Sequence, residues 1–379
     1  EIPEVSRYVL KKETKYSMTT ILNSVTALIE EGLITEAEST QKSVGRTPVY
    51  LDVNPDGKYF IGVEFNAEGI KVVIMNFAFE ITYSEHYKMP KEVTSEGILE
   101  LIKNAIEIAL NYVDQKDRIE GIGIGIPGYV DKERGIALEY SYFSEWKNVR
   151  IKEILEEAFG FEVFIDNNIN ALAYNYRAQH KEKSNFVIVS MQYGVRLGIV
   201  LDGEIFIGNN GNAGEIGHTK VIGGNRGCSC GNQGCLDSEI SYVAIEKKVH
   251  EMISHGQLTA ISDRMMEQKN KFRMAMLGET IRQGSKDAEA LLNNITGFLG
   301  SKLSTVISVI DIEDIIILNV CDLDNERFAE QVYNVIKVNT IGTTFETVSV
   351  ACEVVDSFSA AKGAAIMIQE EKYGYIKEI

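Results

Sequence analysis

The sequence has little of what a membrane protein, a disulfide scaffold or a disordered chain needs. Among its 379 residues no apolar run approaches the ~18 that a membrane-spanning helix requires. No charged-then-apolar secretory segment opens it. It has no low-complexity tract, no Pro-rich linker and no short internal repeat. Cysteines number only five, an odd count, and three of them crowd into residues 228–235. That pattern points to a reducing, cytoplasmic setting and a metal site rather than to paired disulfides. Basic side chains are outnumbered 38 to 55, a formal net charge of −17, which argues against a protein coated in nucleic acid. What remains is an ordinary globular composition, 45% hydrophobic and 25% charged. The length accommodates two or three domains.

The first 50 residues differ from the rest. Ser6 precedes Arg7-Tyr8-Val9-Leu10-Lys11-Lys12, an N-cap and a short helix. After Ser17, the spacing of Ile21, Val25, Leu28 and Ile29 predicts one face of a longer helix. Gly32 would end it in a left-handed conformation. Leu33-Ile34 and Val49-Tyr50-Leu51 read as strands flanking a polar loop with Lys42 and Arg46. Helix, tight turn, helix and a two-stranded wing make a winged helix-turn-helix, whose second helix enters the major groove. Ser17, Thr19, Thr20, Asn23 and Ser24 on its exposed face suit phosphates and base edges. A protein-interaction or dimerisation hairpin is the alternative from pattern alone. The acidity lies elsewhere: residues 1–50 carry six basic and seven acidic side chains, and residues 5–29 carry four basic and one acidic. DNA binding by so few cations would depend on pairing of two chains and on salt.

From Tyr59 onward the pattern is α/β. Apolar runs at Tyr59–Glu64, Ile70–Met75, Gly121–Gly128, Phe186–Ser190 and Ile315–Leu318 read as strands. They alternate with helical stretches at 98–113, 239–256, 286–309 and 325–338, which implies sheets covered by helices. Two glycine-turn regions far apart suggest two lobes around a cleft.

His218, Cys228, Cys230 and Cys235 follow the pattern H-x9-C-x-C-x4-C. Three thiolates and an imidazole close a tetrahedral Zn²⁺ site, with Gly231 and Gly234 letting the loop curl. No position is left for an activated water, so the expected zinc is structural. Cys321 and Cys352 read as buried small apolar residues.

Several segments together resemble the ROK family of sugar-responsive repressors and sugar kinases. Ser17–Val25 and Leu28–Ile34 resemble its reading head, and Gly45-Arg46-Thr47-Pro48 its wing turn, which adds Arg46 to the DNA-facing set. Cys228–Leu236 resembles the zinc signature, and Gly211–His218 the GEIGH segment. The resemblance covers nearly the whole chain. It implies an α/β, two-lobed actin-like ATPase (sugar kinase-like) fold with a small N-terminal winged helix-turn-helix domain. The expected division is 1–54 for the DNA-binding domain, 55–165 plus 358–379 for a smaller lobe, and 166–357 for a larger lobe with the zinc. The family's reading head has one more helix before Ser6, and the first residue is Glu1, so a trimmed or processed start is expected.

The resemblance also implies a sugar pocket. Glu215 would accept two hydroxyl protons, and His218 would bind zinc through one ring nitrogen and a hydroxyl through the other. Asp237 stands where the family has Glu, one methylene shorter. Asp166-Asn167-Asn168 resembles an acidic-Asn-Asp segment, which places Asn167 and Asn168 in the sugar-facing set. A helix cap is the plainer role for any one of these residues, Asp166 above all. Phosphorylation by this site is not expected. Asn168 replaces the catalytic Asp, and an amide cannot act as the base. Glu64 and Asn66-Ala67-Glu68 replace an Asp and Gly-Gly-Thr, and Gln192-Tyr193-Gly194 replaces Gly-Thr-Gly. ATP is therefore not an expected cofactor.

The expected protein is a transcriptional regulator whose partners are a palindromic operator, a sugar effector and a second or fourth copy of itself, with no membrane. A ROK hexose kinase and a sugar-binding signalling module are the alternatives.

Overall fold

The computed structural model describes residues 5–38, 49–192, 194–268, 271–318, 325–342 and 347–374. Arg46, the wing turn, Tyr193 and Cys321 lie outside them. The chain divides into two compact units, residues 1–181 with 358–379 and residues 182–357.

At the front of the first unit, helix α1 (Arg7–Thr14) starts at Ser6, whose hydroxyl accepts the Val9 N–H. Lys15 turns the chain in a left-handed conformation, and α2 (Met18–Glu30) begins at Ser17, which accepts the Thr20 N–H. Only Ile21 and Val25 of α2 are buried; Leu28, expected on the same face, is 38% exposed. Gly32 is left-handed, as its position after the helix requires. Strands β1 (Ile34–Glu38) and β2 (Val49–Val53) pair antiparallel.

The rest of the first unit is built on β3 (Tyr59–Phe65), β4 (Gly69–Asn76) and β5 (Ile81–Lys88), an antiparallel meander. Helix α3 (Ser95–Leu110) crosses to β6 (Ile119–Ile126), which lies parallel to β3. A small sheet of β7 (Tyr129–Asp131), β8 (Ile136–Glu139) and β9 (Lys147–Val149) follows, then α4 (Ile151–Phe159). Strand β10 (Val163–Asn167) adds parallel to β6 and runs directly into α5 (Asn168–Gln179). The strand order is β10-β6-β3-β4-β5.

The second unit repeats this plan. Strands β11 (Phe186–Ser190), β12 (Arg196–Leu201) and β13 (Glu204–Ile205) form the meander. The helices α6 (Leu236–Ile240), α7 (Tyr242–Ser254), α8 (Thr259–Glu267), α9 (Met274–Arg282) and α10 (Lys286–Ile310) follow. Next come β14 (Asp314–Leu318), α11 (Asn325–Asn339) and β15 (Ser349–Glu353), with the two strands parallel to β11. Its order, β13-β12-β11-β14-β15, is the same arrangement of three antiparallel strands followed by two parallel ones. The sequence carries no visible trace of this duplication, because a shared topology needs only equivalent apolar patterning. The single helix expected over 239–256 is broken at Ser241, whose hydroxyl caps α7 by accepting the Ala244 N–H.

The last helix, α12 (Ser359–Tyr373), returns to the first unit and lies on the sheet face opposite α3. Its small residues fit against glycines of the strands. A Cβ on Gly62 would stand 1.9 Å from the Ala361 carbonyl oxygen, and one on Gly123 the same distance from that of Ala364. The alternating glycines of Gly121-Ile122-Gly123-Ile124-Gly125 thus form a groove for a helix on one face, while Ile122 and Ile124 fill the core on the other. Because α5 also packs on α12, residues 166–181 belong with the first unit, beyond the boundary expected at 165.

Candidate functional site

The candidate metal-ligating residues converge within the second unit. A short 3-10 turn, Ile216–His218, presents His218. The cysteine loop closes on itself through the Cys228 N–H, which donates to the Asn232 carbonyl at 2.8 Å, and the Gly231 N–H, which donates to that of Cys228 at 3.0 Å. Gly231 and Gly234 are both left-handed, and a Cβ on Gly234 would lie 2.5 Å from the Gly224 carbonyl oxygen. The Cys228 Sγ lies 3.5 Å from His218 Nδ1, and the Cys230 Sγ 3.7 Å from that of Cys235. All four ligand atoms lie within 4.8 Å of one another. Tetrahedral zinc with bonds of about 2.0–2.3 Å has ligand-to-ligand edges of about 3.4–3.8 Å, so these atoms can hold a metal ion of that size. The donor chemistry agrees. Burial pushes the Cys235 thiol up to about 12, and a dication is what would hold it as a thiolate. The Asn232 backbone N–H pulls the Cys230 thiol below its ordinary value.

The imidazole joins this cluster to two carboxylates. With Nδ1 toward the cysteines, His218 Nε2 faces Glu215 Oε2 at 3.9 Å. The other oxygen of Glu215 pairs with Arg196 Nη1 at 2.7 Å, which takes up part of its capacity to accept hydrogen bonds. Asp237, in the first turn of α6, accepts the Val195 N–H at 2.5 Å through Oδ1. Burial raises both carboxyls above the usual range, against the pull of Arg196 and His218. Arg196 was missed by motif reasoning. Its signal was a lone basic residue in the apolar run Val195-Arg196-Leu197-Gly198-Ile199-Val200.

The other two sugar-facing candidates lie in the first unit. Asn167 caps α5: its Oδ1 accepts the Ile169 N–H at 3.0 Å, and its Nδ2 donates to the Gly128 carbonyl. Asn168 donates to the Phe65 carbonyl at 3.1 Å. Asp166 is buried, accepting from the Asn167 N–H and Asn170 Nδ2 at 2.7 Å each, with Lys132 Nζ 3.5 Å away. At the β3–β4 turn, Asn66 Oδ1 accepts the N–H groups of Glu68 and Gly69, at 2.8 and 3.3 Å. Asn66 also donates to Glu64, which faces Lys71 at 3.3 Å, and burial raises the Glu64 carboxyl despite that lysine.

Of the DNA-facing candidates, Thr19, Thr20, Asn23 and Ser24 lie exposed on α2. Ser17 serves as the cap, accepting the Thr20 N–H at 3.1 Å, and the hydroxyls of the two residues bond each other at 2.8 Å. Among the described residues, no helix is long and apolar enough to cross a membrane.

The ROK family model matches residues 60–371, and the chain belongs to the ROK family. The xylose repressor of Caldicellulosiruptor bescii is 27% identical over 369 residues, 96% of this chain and 91% of that protein. The Escherichia coli DNA-binding transcriptional dual regulator NagC is 26% identical over 316 residues, 83% of this chain and 76% of NagC. A ROK family transcriptional regulator, described as a homolog of the E. coli MLC protein, has a TM-score of 0.83 at 24% identity, covering 97% of this chain and 92% of that one. A ROK glucokinase from Streptomyces griseus, solved with glucose and AMPPNP, has a TM-score of 0.66 at 22% identity, covering 82% and 99%. The fold is therefore the sugar-kinase-like α/β fold expected from the sequence.

Proposed function

We propose that this protein is a sugar-responsive transcriptional regulator, a repressor of carbohydrate genes, whose kinase-like body binds a sugar effector without phosphorylating it. The observation that carries this reading is the front module. The helix pair and two-stranded sheet precede the ROK match at residue 60, and the regulator structure covers 97% of the chain where the glucokinase covers 82%. The names of the relatives support it. The helix α2 reads operator DNA through Thr19, Thr20, Asn23 and Ser24, with Ser17 as its cap and Arg46 on the wing. A cytoplasmic homodimer or tetramer matches a palindromic operator.

Loss of kinase chemistry is supported by three features. Asn168 has no useful basicity. Asn66 occupies the N–H groups of the β3–β4 turn that could otherwise hold a phosphate. Glu68 adds a negative charge beside them. Zinc at His218, Cys228, Cys230 and Cys235 fixes the His218 ring, so that Nε2, Glu215 and Asp237 can face sugar hydroxyls.

The test is selection of duplexes from a randomised DNA pool, run beside a coupled ATP-turnover assay with common hexoses. Enrichment of a palindrome, with binding that falls steeply with salt and no turnover, is the expected result. Clear turnover without enrichment would make it a kinase. Within the pocket, Glu215→Ala should weaken sugar binding by about ten- to a hundredfold, the worth of a charged hydrogen bond, and leave operator binding intact. Titration calorimetry checks this, and undiminished affinity would remove Glu215 from the pocket.

A further inference from the structure

The pairing of Arg196 with Glu215 is built into the backbone. The Leu197 N–H donates to the Gly214 carbonyl at 2.9 Å, which sets the next residue on each side, Arg196 and Glu215, next to one another. The approach is tight: Gly214 is left-handed, and a Cβ there would stand 2.0 Å from the Leu197 carbonyl oxygen. The guanidinium then meets Glu215 Oε1 at 2.7 Å, both side chains being only 20% exposed. This is a short charge-assisted bond between half-buried groups, stronger than a solvated surface pair. Two features would be upset together by losing it, since Glu215 is also 3.9 Å from the ring of His218.

We propose that Arg196 is an internal competitor of the effector, occupying the Glu215 oxygen that a sugar hydroxyl would otherwise take. This rests on the reading that Glu215 faces the sugar. A carboxylate with both oxygens open can accept two neighbouring hydroxyls. With Arg196 in place, Glu215 Oε1 already holds a charged donor, and a neutral sugar must share that oxygen with the guanidinium or displace it. Arg196 thereby lowers affinity for neutral sugars and selects ligands that are content with a single acceptor at this point. It is a specificity-determining residue that acts through Glu215.

The experiment is titration calorimetry with D-xylose and N-acetyl-D-glucosamine, the sugars in the names of the relatives. It compares the full chain with Arg196→Gln, Glu215→Gln and the double variant. Arg196→Gln should bind at least one probe about tenfold more tightly, and Glu215→Gln should abolish that gain in the double variant. A structural role for Arg196 would weaken binding, not tighten it. Unchanged or weaker binding by Arg196→Gln, with Glu215→Gln still weakening the wild type, would overturn the competitor role alone. Loss of no affinity in Glu215→Gln, or no binding of either probe to any of the four proteins, would overturn it together with the pocket. Should Arg196→Gln fail to fold, Arg196→Met, which keeps an apolar stem and removes the competing donor, should still tighten binding, and no gain there would also overturn the proposal.

Discussion

Replacing Cys235 with serine should strip the protein of its metal and cost about 4 kcal/mol or more, the scale reserved for losing a structural ion or cross-link. Cys235 is fully buried. The cluster also joins distant parts of the loop. Lys220 bridges to Cys235, and Gly227 bridges to Gln233. Without a shared cation, three clustered sulfurs and an imidazole give little in return for ordering that loop. The loss should spread to the carboxylates, because His218 Nδ1 faces the sulfurs while Nε2 faces Glu215. Metal analysis of the purified variant, with a denaturant titration beside it, decides the matter. Full metal content and an unshifted midpoint would sink the assignment. Cys230→Ser should behave in the same direction but more mildly, since Cys230 is exposed.

Gly123→Ala is the second large effect. The new methyl carbon would sit 1.9 Å from the Ala364 carbonyl oxygen and 2.7 Å from its carbon, both backbone atoms of α12. No rotamer change can relieve that, so the helix must lift from the sheet. The expected destabilisation is about 3 kcal/mol, the upper range for overpacking a core. Gly160→Ala is a useful contrast: it has open space around it, and only its left-handed conformation resists a side chain. A thermal melt that falls no further for Gly123→Ala than for Gly160→Ala would refute the groove.

How much of this was legible in the sequence depended on the range of the interaction. Local signals carried well: Ser6 and Ser17 cap their helices, Gly32 is left-handed, and Phe186–Ser190 is a strand with the expected bounds. The four candidate metal ligands were legible as a cluster because their spacing is itself the constraint. Roles set by distant partners were not. Asn167 is engaged by Gly128, which lies far away in sequence, and Glu215 by Arg196 at the start of β12. The glycine alternation in Gly121–Gly125 showed a buried strand, but nothing local indicated that a helix from the end of the chain would lie on it. Leu28 carried helical periodicity yet is exposed, because the two short helices of the front module bury little more than Ile21 and Val25.

That helix has a consequence for how the chain is made. Residues 59–167 supply the whole first sheet, but its cover, Ser359–Tyr373, leaves the ribosome only after all of residues 182–357. Throughout that interval the strip bearing Gly62, Val73 and Gly123 is bare, an apolar surface open to misassociation, and by its end the second unit has every strand of its own sheet. Synthesis order therefore makes the interrupted unit the last to complete its packing.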